Sequence, residues 1–374
     1  VFGIILAIAV TMMQAYVFWR ASSVPFVKKH VPRRLLVGAG FALWASFFLG
    51  TSASADLTGV LAVPLELWSM TWLATLFLTS VALLAVDVST GFGTLMKRAV
   101  PRLRGGALLA GGALSAIALV QGLREPVIDS YEVHIASLPA ALDGTVVVGL
   151  SDLHLGSLLG TSWLTARVGQ VQAEHPDIVV FIGDVFEGHE APGADLLAEL
   201  RRLSAPLGVW GVLGNHEYHA AAKDSASFFK AAGIHVLRNA WVELRPGLVI
   251  AGVDDAPASP GNGVAVAPLK VMLAGRPPGA VLLLSHVPLP SDAVTGAGVD
   301  LLLAGHTHGG QIWPFGVLVR QQFPLFDGRY DLGGSTAIVS RGAGTWGPRM
   351  RLWKPAEILR VTLRSGISSA AAPP

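Results

Sequence analysis

Five short segments of this 374-residue chain carry side chains that can hold metal ions, and each follows an apolar run. They are Ser151-Asp152-Leu153-His154, Gly183-Asp184, Gly214-Asn215-His216-Glu217, Ser285-His286, and Gly305-His306-Thr307-His308-Gly309-Gly310. Alone, a Gly-Asp pair is a turn and a single histidine a hydrogen-bonded polar residue. Five such segments in succession point to a site at which their side chains converge. On extended backbone, alternate residues face one way, so Asp152 and His154 reach one site together, as do His306 and His308. The two oxygens of Asp184 suit a bridge between two cations, which in two-metal sites lie about 3.5–4 Å apart. Asn215 supplies a carbonyl oxygen, while His286 and His306 supply imidazole nitrogen for the second ion. The chain contains no cysteine, so any metal is held by nitrogen and oxygen. That donor mixture suits Mn, Fe, Zn or Co better than Mg or Ca.

Short Val/Ile/Leu-rich runs at 145–150, 178–182, 209–213, 248–253, 281–284, 301–304, 336–340 and 357–363 are the elements that must position these residues. They read as buried strands, and residues 162–174, 193–203 and 221–232 between them read as helices, the last closed by Gly233. In open α/β sheets ligands gather beyond the carboxyl ends of the strands, and five of the eight runs end there in polar residues.

The five blocks resemble those of the calcineurin-like metallophosphoesterase superfamily: D-x-H, G-D, G-N-H-E/D, a lone H, and G-H-x-H. The stretch 305–311, with Ser340-Arg341-Gly342, Arg351-Leu352 and Pro355-Ala356-Glu357-Ile358, is similar to the bacterial membrane-associated branch of YkuE- and YaeI-type proteins. Here Ala356 separates a proline and a glutamate that the branch joins. The resemblance implies a four-layer α/β/β/α sandwich. It also implies that Asp152, His154 and His308 hold one metal, Asp184 bridges, and Asn215, His286 and His306 complete the second. His216 then stands where the family has its general acid, beside a metal-bound hydroxide attacking phosphorus in line. His175, His189, His219 and His235 fall outside the blocks, where surface or structural roles are expected.

The N-terminal third differs in kind. Overall, 52% of residues are hydrophobic and only 14% charged, whereas soluble proteins average roughly a quarter charged. Apolar runs at 1–19, 35–55, 60–86 and 107–120 predict about four transmembrane helices, the fourth reaching spanning length only as 105–122. The first run lacks the preceding basic region of a cleaved signal peptide. Arg20, Lys28, Lys29, Arg33 and Arg34 follow run one, and Lys97, Arg98, Arg102 and Arg104 follow run three, with no Lys or Arg between runs two and three. Those basic loops are expected in the cytoplasm, which places the catalytic domain of a four-span protein on the opposite, extracytoplasmic side of a cell membrane. Asp56, Glu66 and Asp87, near the run ends, are expected in solvated positions. The net charge of +2 and pI near 9.0 come from these loops and form no aromatic-interleaved stripe, so nucleic acid is not an expected partner.

The expected organisation is a membrane domain over 1–122, a connector over 123–144, a metallophosphoesterase domain over 145–364 and a disordered tail over 365–374. The expected function is hydrolysis of a phosphodiester or pyrophosphate bond in a lipid or envelope metabolite. A broad phosphomonoesterase, a cyclic-nucleotide phosphodiesterase, and a membrane sensor or assembly protein with a structural metal site are the alternatives.

Overall fold

The computed structural model describes residues 2–56, 61–156, 158–187, 193–219, 225–254 and 266–366. It divides into two compact units. One holds the chain through Leu123 together with Gly347–Trp353, and the other runs from Arg124 to Trp346 and resumes at Lys354.

The first unit contains helices Phe2–Ala21, Arg33–Asp56, Ala62–Ser89 and Val100–Gly122, all four long and apolar enough to cross a membrane. Val10, Val17, Phe47, Leu76, Leu83 and Ala107 pack between them. Outward-facing residues such as Phe41 and Leu109 are as apolar as the inward ones, which suits hydrocarbon surroundings.

Two expectations are corrected here. Asp87 is not solvated: it is fully buried, ion-paired with Arg20 (2.6 Å) and Arg104 (2.7 Å), and accepts a hydrogen bond from Tyr16 Oη (2.7 Å). A carboxylate in apolar surroundings is tolerable only with such partners, and they come from other helices, beyond the reach of local sequence. Residues 347–353 were expected in the catalytic domain but cluster with the helices. Arg351 N–H donates to Ala118 O (2.9 Å), Trp353 N–H donates to Gln121 Oε1 (2.8 Å), and side-chain-free Gly122 admits the Arg349 carbonyl.

The second unit is two six-stranded sheets. Its strands are β1 (Val127–Ile135), β2 (Val146–Leu150), β3 (Ile178–Ile182), β4 (Val209–Val212), β5 (His235–Val236), β6 (Ala240–Arg245), β7 (Leu248–Gly252), β8 (Ala280–Leu284), β9 (Leu301–Ala304), β10 (Gly328–Asp331), β11 (Thr336–Val339) and β12 (Glu357–Ser365). The sheet orders are β1-β12-β2-β3-β4-β5 and β10-β11-β9-β8-β7-β6. Strands β2 to β5 are mutually parallel, as are β7, β8, β9 and β11.

Side-chain alternation sorts each strand between two cores. Ile178, Val180 and Ile182 of β3 meet Leu282 and Leu284 of β8 and Leu301 and Leu303 of β9 between the sheets. Val179 and Phe181 turn outward onto Leu164, Val168, Leu196 and Phe229 of the helices over the first sheet. Val281 and Leu283 turn outward onto Leu269 and Val294 of the helices over the second. Helix, sheet, sheet and helix therefore form the four layers that the resemblance implied.

All eight sequence-read strands are present, with ends shifted by at most two residues. Residues 127–135, expected in a connector, instead form β1, which pairs with β12 in parallel over nine positions. Of the expected tail, Ser365 ends β12 and 367–374 lie outside the described residues. The helix expected over 221–232 is described as Ser225–Ala231, and His189 lies outside the described residues.

Candidate metal centre

Every residue singled out for metal lies just beyond the C-terminal end of a strand: β2, β3 and β4 in one sheet, β8 and β9 in the other. The segments after β2 and β3 keep their parallel pairing past the strand ends, with Asp152 N–H donating to Gly183 O (3.1 Å) and His154 N–H to Asp184 O (3.0 Å). Asp152, His154, Asp184, His306 and His308 all adopt positive φ, between 46° and 70°. Left-handed backbone is uncommon away from glycine and is a mark of functional positions. Two glycines make room. A Cβ on Gly214 would lie 2.2 Å from Asp184 Oδ1, and one on Gly305 would lie 1.9 Å from Ser151 Oγ.

Three groups of ligand-type atoms result, one of them being His154, Asp184 and His216. Asp152, His154 and His308 form a second, with His154 Nε2 3.1 Å from His308 Nε2 and His308 Nε2 3.3 Å from Asp152 Oδ1. Asp184, His286 and His306 form the third, and Asn215 Oδ1 lies 3.2 Å from His286 Nε2. His286 Nε2 is 3.1 Å from Asp184 Oδ2 and 3.3 Å from His306 Nδ1. The same Asp184 oxygen is 4.0 Å from His154 Nε2, so it faces the second group as well as the third.

The chemistry of this donor set decides what fits. His286 Nδ1 donates to the Ile182 carbonyl (2.8 Å), which in the neutral ring places the lone pair on Nε2. That lone pair faces a carboxylate oxygen and an amide oxygen, both acceptors. Convergent acceptors in a buried site call for a cation between them, so the residues present fit divalent metal. Burial and the nearby His286 hold the His306 imidazole down at about 4, the neutral form that ligates metal. Burial would raise Asp184, whereas protonation of His286 first, then of His154 and His216, would lower it.

Around this centre stand residues that sequence reasoning missed. Glu217, recognised only as the end of a block, accepts N–H bonds from Gly214 (2.7 Å), Asp184 (2.9 Å), Val185 (2.8 Å) and Phe186 (3.0 Å). It thereby ties the β3 and β4 loops together. Burial and the Asp184 charge push it up to about 7, against the pull of those N–H groups.

Glu187 pairs with His154 Nδ1 and lies 3.2 Å from His216 Nδ1. Burial would raise Glu187, but its bonds to the two imidazoles bring it down to about 2. Burial would lower His216, but the bond to Glu187 and then the Asp184 charge raise it to about 9. Its ring stands edge-on to that of Trp346, with centroids 6.3 Å apart. The only sequence signal for Glu187 was a carboxylate three residues after Asp184.

The calcineurin-like phosphoesterase model matches residues 145–310, from β2 through the last histidine pair. A metallophosphoesterase of Aquifex aeolicus, itself named as uncharacterised, is 36% identical over 242 residues, which cover 63% of this chain and 91% of that protein. The chain belongs to the calcineurin-like phosphoesterase family. As a family member, its sheet unit is a metal-dependent phosphoester hydrolase with candidate metal ligands in place.

Another similar protein, the metallophosphoesterase YkuE of Bacillus subtilis, is 29% identical over 287 residues, 70% of this chain and 94% of its own length. A zebrafish protein named as a transmembrane protein with a metallophosphoesterase domain is 31% identical over 274 residues, 69% of this chain. The chain spans 62% of that zebrafish relative's length. The phosphoesterase unit and four helices long and apolar enough to cross a membrane thus occur together in this chain.

Proposed function

We propose that the chain is a membrane-anchored two-metal phosphoesterase that cleaves a phosphodiester or pyrophosphate bond in a lipid or envelope metabolite. The observation that carries this reading is Asp184 Oδ2 shared between two acceptor-rich ligand groups, beside the His216 imidazole 3.2 Å from Glu187. Asp152, His154 and His308 would hold one ion and Asn215, His286 and His306 the other, with Asp184 between them. Mn, Fe, Zn and Co match the donors. When bound, two such cations lower the pKa of water from about 15.7 toward neutrality and stabilise charge on the phosphoryl oxygens.

The remaining work falls to the chain's own residues. Glu187, on Nδ1 of His216, orients that ring and keeps it protonated, leaving Nε2–H to protonate the departing oxygen. No side-chain nucleophile is required. The anchor favours substrates concentrated in the membrane. Arg20 and Arg104 are engaged by Asp87, but exposed Lys28, Lys29, Arg33, Arg34, Lys97, Arg98 and Arg102 still crowd the two loops, which supports an extracytoplasmic catalytic unit.

Hydrolysis of paired chromogenic mono- and diesters by the metal-supplemented protein, then of extracted envelope lipids, tests the activity. His216→Ala should keep its metal and lose about 10²–10⁴-fold in turnover. Metal binding without turnover on any substrate would reassign the site to sensing. A reporter fused after Leu363 that is active only in the cytoplasm would reverse the orientation.

A further inference from the structure

The sheet unit leaves an apolar edge open beside its metal centre. Directly after the last ligand block, Trp313, Phe315, Val317 and Leu318 are 51%, 42%, 58% and 59% exposed. They lead into the helix Gly316–Gln322. This edge is fixed to the centre. Gly310 abuts Gly316 so closely that a Cβ on it would lie 2.2 Å from Gly316 Cα. The Phe323 ring at the far end of that helix meets the His306 imidazole ring edge-on, with centroids 5.1 Å apart. Thr307 Oγ1 donates to Phe326 O (2.6 Å), holding the return of the chain against the ligand loop. Gln311 exchanges two 3.0 Å hydrogen bonds with the backbone of half-exposed Trp346, whose ring faces His216.

Solvent is a poor neighbour for two aromatic and two aliphatic side chains within six residues. The chain itself indicates what covers them. Only residues 123–126 separate the membrane-length helix Val100–Gly122 from β1, a stretch reaching at most roughly 15 Å. A bilayer holding that helix is therefore always within reach of the sheet unit. Trp and Phe followed by Arg320, whose side chain stays 63% exposed beside the apolar positions, is a composition suited to the boundary between headgroups and acyl chains.

We propose that Trp313–Leu318 is a second membrane contact, seating these four side chains in the same bilayer and bringing the metal centre to phosphate groups held at its surface. The substrate half of this statement rests on the phosphoesterase reading; the contact itself does not. The absence of native cysteine allows single-site labelling of the full chain. Leu318→Cys, and Arg202→Cys as a solvent-facing reference in the same unit, would each carry a nitroxide in vesicles of phosphatidylethanolamine and phosphatidylglycerol. The expected result is a several-fold higher ratio of oxygen to water-soluble nickel-chelate accessibility at 318 than at 202. Equal ratios would overturn the contact. So would spin–spin broadening at 318, which would assign the edge to a second copy of the chain. Turnover of soluble bis(p-nitrophenyl) phosphate by the same labelled protein is read separately. Its loss with the depth contrast intact counts against the phosphoesterase reading and leaves the membrane contact standing.

Discussion

Two buried polar clusters in this chain resolve burial in opposite ways. In the helical unit, one carboxylate, Asp87, meets two guanidinium groups and a phenol, so every acceptor is answered by a donor from the chain. In the sheet unit, Asp184 Oδ2, Asn215 Oδ1 and the imidazoles of His286 and His306 face one another, and donors such as Ser151 Oγ and the His306 N–H lie at the margin. The first arrangement is complete without a ligand. The second is a convergence of acceptors that a cation would complete. Burial of ionisable groups therefore does not by itself mark a functional site; what marks it is the balance of donors and acceptors among them.

The largest effect should come from removing the shared acceptor. Asp184→Ala is expected to lose both metals and all turnover, measured by elemental analysis and hydrolysis of a chromogenic diester. In the parent protein, metal at a hundredfold excess over its Kd should add about 2.7 kcal/mol of stability, and this gain should vanish in the variant. Retention of both metals would break the comparison.

Next is the self-contained cluster. Asp87→Asn leaves two guanidinium groups without their carboxylate and should cost about 3–5 kcal/mol, read as earlier thermal unfolding in detergent, with metal content unchanged. An unchanged unfolding profile would deny the cluster its structural role.

The smallest change is expected at the border of the metal centre. Glu187 helps keep His216 in its acid form up to about pH 9, and a raised imidazole pKa means that the form is lost as pH climbs through that value. Glu187→Gln should move the alkaline limb of kcat to lower pH and weaken metal binding through His154, by about 10–100-fold. A pH profile identical to that of the parent would detach Glu187 from His216.

What could be read from sequence follows the same physics. The eight detected strands are buried on both faces, as in fully buried β3 and β8, and so appear as continuous apolar runs. The four that were missed lie at sheet edges: β1 mixes exposed and buried positions, β6 has no fully buried one, β10 alternates, and β5 is two residues long. Their pairing is set by neighbours distant in sequence, such as β12 for β1. The seven proposed ligands were legible because strand ends deliver them in recognisable pairs. Glu217 was not, because its task is to bind backbone N–H groups of another loop. Asp87 was misplaced because hydropathy does not show which helices adjoin.

The left-handed backbone at five ligand positions bears on how the centre should be dissected. Aspartate and histidine tolerate that conformation better than most residues, so their occurrence there reflects torsional fitness as well as affinity for cations. An alanine exchange removes a ligand and a compatible residue at once. Glycine, at ease with positive φ, removes only the ligand, and the contrast between the two exchanges would tell how far coordination holds an otherwise reluctant loop in shape.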